Sequence, residues 1–111
     1  MTELCAFDDL PEPGARGPFV VDGVAVFVVR KDNEVMGYVN ACPHVGAPLE
    51  MEPDRFLDAW GDAIVCSVHG ANFDPATGAC LGGPCRGKGL TPFPVVVRNG
   101  MVISAPPPEG I

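Results

Sequence analysis

The run Phe19-Val20-Val21-Asp22-Gly23-Val24-Ala25-Val26-Phe27-Val28-Val29-Arg30 places two β-rich segments on either side of Asp22-Gly23. Branched and aromatic side chains favour extended backbone, and Asp-Gly supplies the two positive-φ residues of a tight two-residue turn, so the stretch predicts a β-hairpin. Downstream, Lys31-Asp32-Asn33-Glu34 reads as a polar turn and Val35 to Asn40 as a further strand that delivers the chain to Cys42. Upstream, Leu4 to Phe7 reads as a strand, and the stretch holding Pro11, Pro13, Gly14 and Pro18 as a wandering loop. A second hairpin is expected over Phe93 to Ile103, with Asn99-Gly100 at its turn.

Between the hairpins, Ala63 to Cys66 has the character of a strand, and Asn72-Phe73-Asp74 leads into a Pro75-Ala76-Thr77-Gly78 turn. Pro53 to Gly61 suggests about two helical turns, with Pro at the start, Gly at the stop, and Phe56 and Trp60 four apart on one face. The triplet Pro106-Pro107-Pro108 cannot continue a ladder, which marks 105–111 as an extended tail. The expected class is all-β with one short helical turn.

The chain has 111 residues, enough for one domain with a single modest core. It lacks an apolar run long enough to span a bilayer, and Met1-Thr2-Glu3-Leu4 lacks the basic start of a secretory signal; the expectation is a soluble cytoplasmic protein with no membrane contact. A formal net charge of −7 argues against nucleic acid, whose phosphates need a basic stripe, and favours a basic protein partner. The acidity is concentrated between His44 and Cys66, where Glu50, Glu52, Asp54, Asp58 and Asp62 stand against Arg55 alone.

Both histidines of the chain lie within three residues of a cysteine, in Cys42-Pro43-His44 and Cys66-Ser67-Val68-His69. Two thiolates and two imidazoles suit a tetrahedral Zn²⁺, and they equally suit a 2Fe–2S cluster with the cysteines on one iron and the histidines on the other. The ligand types alone leave both open. Five cysteines without an export signal favour metal ligation or free thiols over a disulfide framework.

The residues around the ligands discriminate. Cys42-Pro43-His44-Val45-Gly46-Ala47-Pro48-Leu49, followed by Cys66-Ser67-Val68-His69-Gly70-Ala71-Asn72-Phe73-Asp74 and Thr77-Gly78, resembles the Rieske 2Fe–2S ferredoxin family. Gly82-Gly83-Pro84 is similar to that family's proline loop, and Phe93-Pro94-Val95 with Asn99-Gly100 to its closing hairpin. The resemblance implies an antiparallel β-sandwich with a small cluster-binding subdomain made by two loops between residues 41 and 85, within a single domain over 1–104. It implies one 2Fe–2S cluster per chain on Cys42, His44, Cys66 and His69, with Val45, Gly46, Gly70, Ala71 and Pro84 around it. Gly46 and Gly70 have no Cβ to hold the chain away from a cluster's sulfides.

Neutral imidazoles make such a cluster less negative than an all-cysteine one, which raises its potential into a range of about −150 to +300 mV. High-potential members of the family carry a disulfide where this chain has Ala47 and Val68, and Ser and Tyr hydroxyls where it has Ala71 and Phe73. The expectation is a value near the low end. His44 and His69 are expected on the exposed side, as the electron's exit. Cys80 and Cys85 bracket the proline loop either as two small buried residues or as a disulfide strapping it; Cys5 is expected in the core.

Both imidazoles are committed to metal, so no histidine remains for a mononuclear iron or a nucleophile–base pair, and the chain is not expected to be an enzyme on its own. The resemblance implies an electron-transfer component that accepts electrons from a flavin-dependent reductase and hands them to an oxygenase. The alternative is a Rieske-like small subunit of an assimilatory nitrite reductase, and a non-redox Cys₂His₂ zinc module is a third.

Overall fold

The structure is a computed structural model and describes residues 3–41, 48–49, 54–58, 61–66, 70–82 and 89–104. Its strands, among these residues, are β1 (Glu3–Ala6), β2 (Gly14–Val21), β3 (Val24–Lys31), β4 (Glu34–Val39), β5 (Ile64–Val65), β6 (Asn72–Phe73), β7 (Cys80–Gly82), β8 (Val95–Arg98) and β9 (Met101–Ser104). They form three antiparallel three-stranded sheets, ordered β1-β9-β8, β2-β3-β4 and β5-β6-β7. The all-β antiparallel expectation holds.

The hairpin of the opening stretch is present. Val21 pairs with Val24 across Asp22 (φ 50°) and Gly23 (φ 81°), the two left-handed residues that a type I′ turn needs. The same geometry recurs at Asp32-Asn33 between β3 and β4 and at Asn99-Gly100 between β8 and β9. β3 is the central layer of the molecule: Phe27 and Val29 face one core and Val28 the other, and Val26 to Val29 are all fully buried. A strand covered on both faces reads as a continuous apolar run rather than an alternating one, which is how this one reads.

The larger core joins Phe27, Val29 and Tyr38 to Leu49, Phe56, Ile64, Cys66, Ala71, Phe73 and Leu90, so it runs from the β2-β3-β4 sheet into the β5-β6-β7 sheet. The Phe27 and Phe56 rings stack at 4.2 Å between centroids. The smaller core holds Leu10, Val28 and Val102, and Arg30 closes it, its guanidinium 4.0 Å from the centre of the Phe7 ring and donating to the Leu10 carbonyl.

Two expectations are corrected. The Pro- and Gly-rich stretch expected to be a loop is strand from Gly14 onward, because its ladder breaks only between Arg16 and Phe19, where Gly17-Pro18 forms an irregularity that needs no donor from proline. Likewise, no helix is seen among the described residues of 53–61. Leu57 forms an antiparallel bridge with Ile64, and the Asp58 N–H donates to the Ala63 carbonyl, which makes the stretch the first arm of a turn into β5. Asp54, at φ 66°, exchanges main-chain and side-chain bonds with Gly17 and is thereby held out of helical geometry. The one helical turn among the described residues is a 3₁₀ turn at Phe7–Asp9. Trp60 and the tail 105–111 lie outside the described residues. Among the described residues, no helix is long and apolar enough to cross a membrane.

Candidate metal centre

Both cysteine–histidine boxes are bounded by residues of the larger core, Leu49 after the first, and Cys66 and Ala71 at the second. The first departs from the end of β4. There the Val39 N–H bonds the Thr91 carbonyl and the Asn40 N–H bonds the Ala25 carbonyl, which ties the strand end to both neighbours. The chain is back in the core by Leu49, which is fully buried and whose N–H donates to Asn40 Oδ1 at 3.0 Å. Asn40 is itself 6% exposed. Cys42, His44, Val45 and Gly46 are outside the described residues.

The second box follows β5. Cys66 is fully buried in the core, its thiol is free, and its N–H donates to the Ala71 carbonyl at 2.8 Å. The Gly70 N–H donates back to the Cys66 carbonyl, also at 2.8 Å, so the turn closes on its own main chain. Gly70 adopts φ 71°, and a Cβ there would meet no atom within 4 Å; the requirement for glycine is conformational rather than steric. Ala71 is fully buried and leads into β6. Of the four expected ligands, Cys66 is the one among the described residues; His69 and Pro84 lie outside them.

The Phe73-Asp74 and Thr77-Gly78 portion of the second motif is structural. Phe73 is buried against the core, and Asp74 Oδ1 accepts the Ala76 N–H at 2.8 Å. Gly78, at φ 77°, lies so close under Tyr38 that a Cβ would come within 2.8 Å of its ring. Tyr38 in turn donates its hydroxyl to the Pro75 carbonyl at 2.6 Å, and burial, with the Asp74 carboxylate a lesser cause, pushes its pKa up to about 12. These contacts hold the turn that joins the second box to β7.

Cys80, on β7, is disulfide-bonded. Cys85 and the rest of the proline loop lie outside the described residues. Cys5 is a half-buried free thiol packed against the smaller core, and burial raises its pKa.

The acidic interval is partly neutralised within the fold. Asp54 pairs with Arg16 at 3.5 Å and Asp62 with Lys31 at 3.0 Å, while Asp58 Oδ1 accepts the Asp62 N–H. Sequence reading missed Asn40, which it counted as the last residue of a strand. A small polar amide at the end of an apolar strand, two residues before a ligand candidate, was the available signal.

The chain matches the model of the Rieske [2Fe-2S] domain over residues 1–104. No curated protein sequence matches it. Among solved structures it is similar to the ferredoxin of carbazole 1,9a-dioxygenase from Nocardioides aromaticivorans IC177, at 33% identity and a TM-score of 0.74, covering 96% of this chain and 99% of that one. It is similar to a Sphingomonas yanoikuyae B1 ferredoxin at 30% identity and a TM-score of 0.74, over 94% and 97% of the two chains. A chain in a complex of reduced oxygenase and oxidised ferredoxin in carbazole 1,9a-dioxygenase gives 30% identity and a TM-score of 0.75, over 93% and 99%. A nitrite reductase small subunit shares the fold at 20% identity, a TM-score of 0.70, and 94% and 96% coverage. With a buried free cysteine just after β5 and a family match over nearly the whole length, the chain belongs to the Rieske [2Fe-2S] domain family.

Proposed function

We propose that this protein is a soluble, cytoplasmic one-electron carrier that takes electrons from a flavin-dependent reductase and passes them to an oxygenase. The observation that carries the reading is the 33% identity to the carbazole dioxygenase ferredoxin, over 96% of this chain and 99% of that one. The likeness to the nitrite reductase subunit, at 20% identity, supports the shared fold alone.

In this reading Cys42 and Cys66 bind one iron and His44 and His69 the other, within one domain spanning 1–104. The described residues fit such a group. The Cys66 thiol is free, and its buried place at the end of β5 fixes where a thiolate would stand. The bound cluster supplies one reversible electron. The protein's part is to hold the ligand loops still and keep water from the inner side, which Leu49, Ala71 and Phe73 do by full burial. Ala71 and Phe73 bring no hydroxyl toward the second box, in keeping with a potential near the low end of the family range of about −150 to +300 mV.

In this reading the docking face is made by the acidic interval and the two histidines, and the partner surface is basic. The attraction is supplied by the acidic interval of Glu50, Glu52, Asp54, Asp58 and Asp62, within which Asp54 and Asp62 are paired with Arg16 and Lys31. The test is stopped-flow electron transfer from the reduced protein to a Rieske oxygenase as salt is raised. Transfer is expected to slow with salt and in variants that replace acids of the interval with their amides. A salt-insensitive rate removes this docking face, and a colourless preparation holding zinc without iron removes the carrier itself.

A further inference from the structure

Asn40 and Ser104 are the two buried polar side chains among the described residues, and Asn40 stands where β4 ends, two positions before Cys42. A buried amide oxygen without a hydrogen bond is costly, and the partner that Asn40 Oδ1 takes at Leu49 is informative. Its Oδ1 accepts the main-chain N–H of Leu49 at 3.0 Å, nine residues along the chain. Each end of this bond is anchored independently. The Asn40 N–H is bonded to the Ala25 carbonyl of β3, and the Leu49 side chain is fully buried in the core that contains Phe27, Phe56, Ile64 and Cys66. Residues 40 and 49, on either side of the segment that holds Cys42 and His44, are therefore joined by one side chain.

Strand-forming preference does not call for asparagine here, since Asn is depleted in strands and an apolar residue of similar size would suit the surrounding core. A segment pinned at both ends samples fewer conformations than a free one, and groups that pin metal-bearing segments raise metal retention. We propose that Asn40 is a positioning residue for the cluster, its side-chain oxygen setting the span of the loop that carries Cys42 and His44. The inference rests on the reading of those two residues as ligands.

The test uses the iron-loaded protein and the variants Asn40→Leu, which is of similar size without an acceptor, and Asn40→Asp, which keeps Oδ1. Three quantities are read: hydrogen exchange at the Leu49 amide, the rate of iron loss to a chelator, and the EPR spectrum of the reduced protein. Asn40→Leu is expected to speed both exchange and iron loss by about tenfold and to shift the EPR spectrum, with the amides of β3 protected as in wild type. Asn40→Asp is expected to restore Leu49 protection and slow iron loss. Wild-type rates of iron loss in Asn40→Leu overturn the proposal, whether or not Leu49 exchange has changed, because Asn40 is then a structural tie only. Should Asn40→Leu fail to fold, exchange in the wild type decides: a Leu49 amide protected like those of β3 supports the tie, and one exchanging at the rate of an open loop refutes it. A wild-type protein that binds no iron and sulfide refutes the carrier reading instead and leaves Leu49 exchange to report on the tie alone.

Discussion

Residues 66–71 close on themselves through main-chain bonds between Cys66 and Ala71 and between Gly70 and Cys66, whereas the bond that spans 41–48 among the described residues comes from the Asn40 side chain. The residues flanking the two cysteine–histidine boxes are thus bridged by different means. Main-chain closure tolerates most side chains but demands a left-handed residue, and Gly70 meets that demand at φ 71°. Side-chain closure concentrates the requirement in one amide. The two loops should therefore fail differently.

The largest effect is expected from Leu49→Ala, because Leu49 is fully buried in the core that also contains Cys66. The loss should be about 2–5 kcal/mol by denaturant unfolding. A cost below about 1 kcal/mol would show that the first loop is not seated in that core. Next comes Gly70→Ala, with about 1–2 kcal/mol from left-handed backbone alone, since no atom lies within 4 Å of the added methyl. Gly70→Asn should recover part of that loss, and equal costs for the two variants would show that the restriction is not one of φ.

A smaller effect tests the turn that joins the second loop to β7. Tyr38→Phe removes the bond to the Pro75 carbonyl, at a cost of about 1 kcal/mol near neutral pH. Its pH dependence has a definite sign. The Tyr38 pKa is raised in the folded protein to about 12 from an ordinary value of 10.0, so the native state holds the proton more tightly than the unfolded chain. Stability from this group is present below pH 10 and lost as pH rises through about 12. In Tyr38→Phe that alkaline loss should be shallower; an unchanged alkaline arm would assign it to other groups.

Much of the fold could be read from short-range signals. Asp22-Gly23 and Asn99-Gly100 marked their hairpins because left-handed turn residues are scarce and local. The errors came where a partner distant in sequence decided the backbone. Gly14 to Val21 forms a strand because β3 pairs with it across a break at Gly17-Pro18, and no local feature distinguishes that from a loop. Asp54 departs from a helix because Gly17, distant in sequence, takes its main-chain and side-chain bonds. Of the candidate site, residue types and spacing were legible, while the ties that hold it were not. Cys66 could be singled out by its neighbours, but its bond to Ala71 and the Asn40–Leu49 bond belong to a folded chain.

By itself the sequence determined the spacing of the two cysteine–histidine boxes, the positive-φ turns and the family, because these are properties of neighbouring residues. Tertiary structure decided which acids are neutralised, as when Asp54 meets Arg16 and Asp62 meets Lys31, and which polar group is enclosed. It also decided that Leu49 and Cys66 share one core. Burial and charge pairing depend on what the rest of the chain brings alongside, and local pattern does not record that.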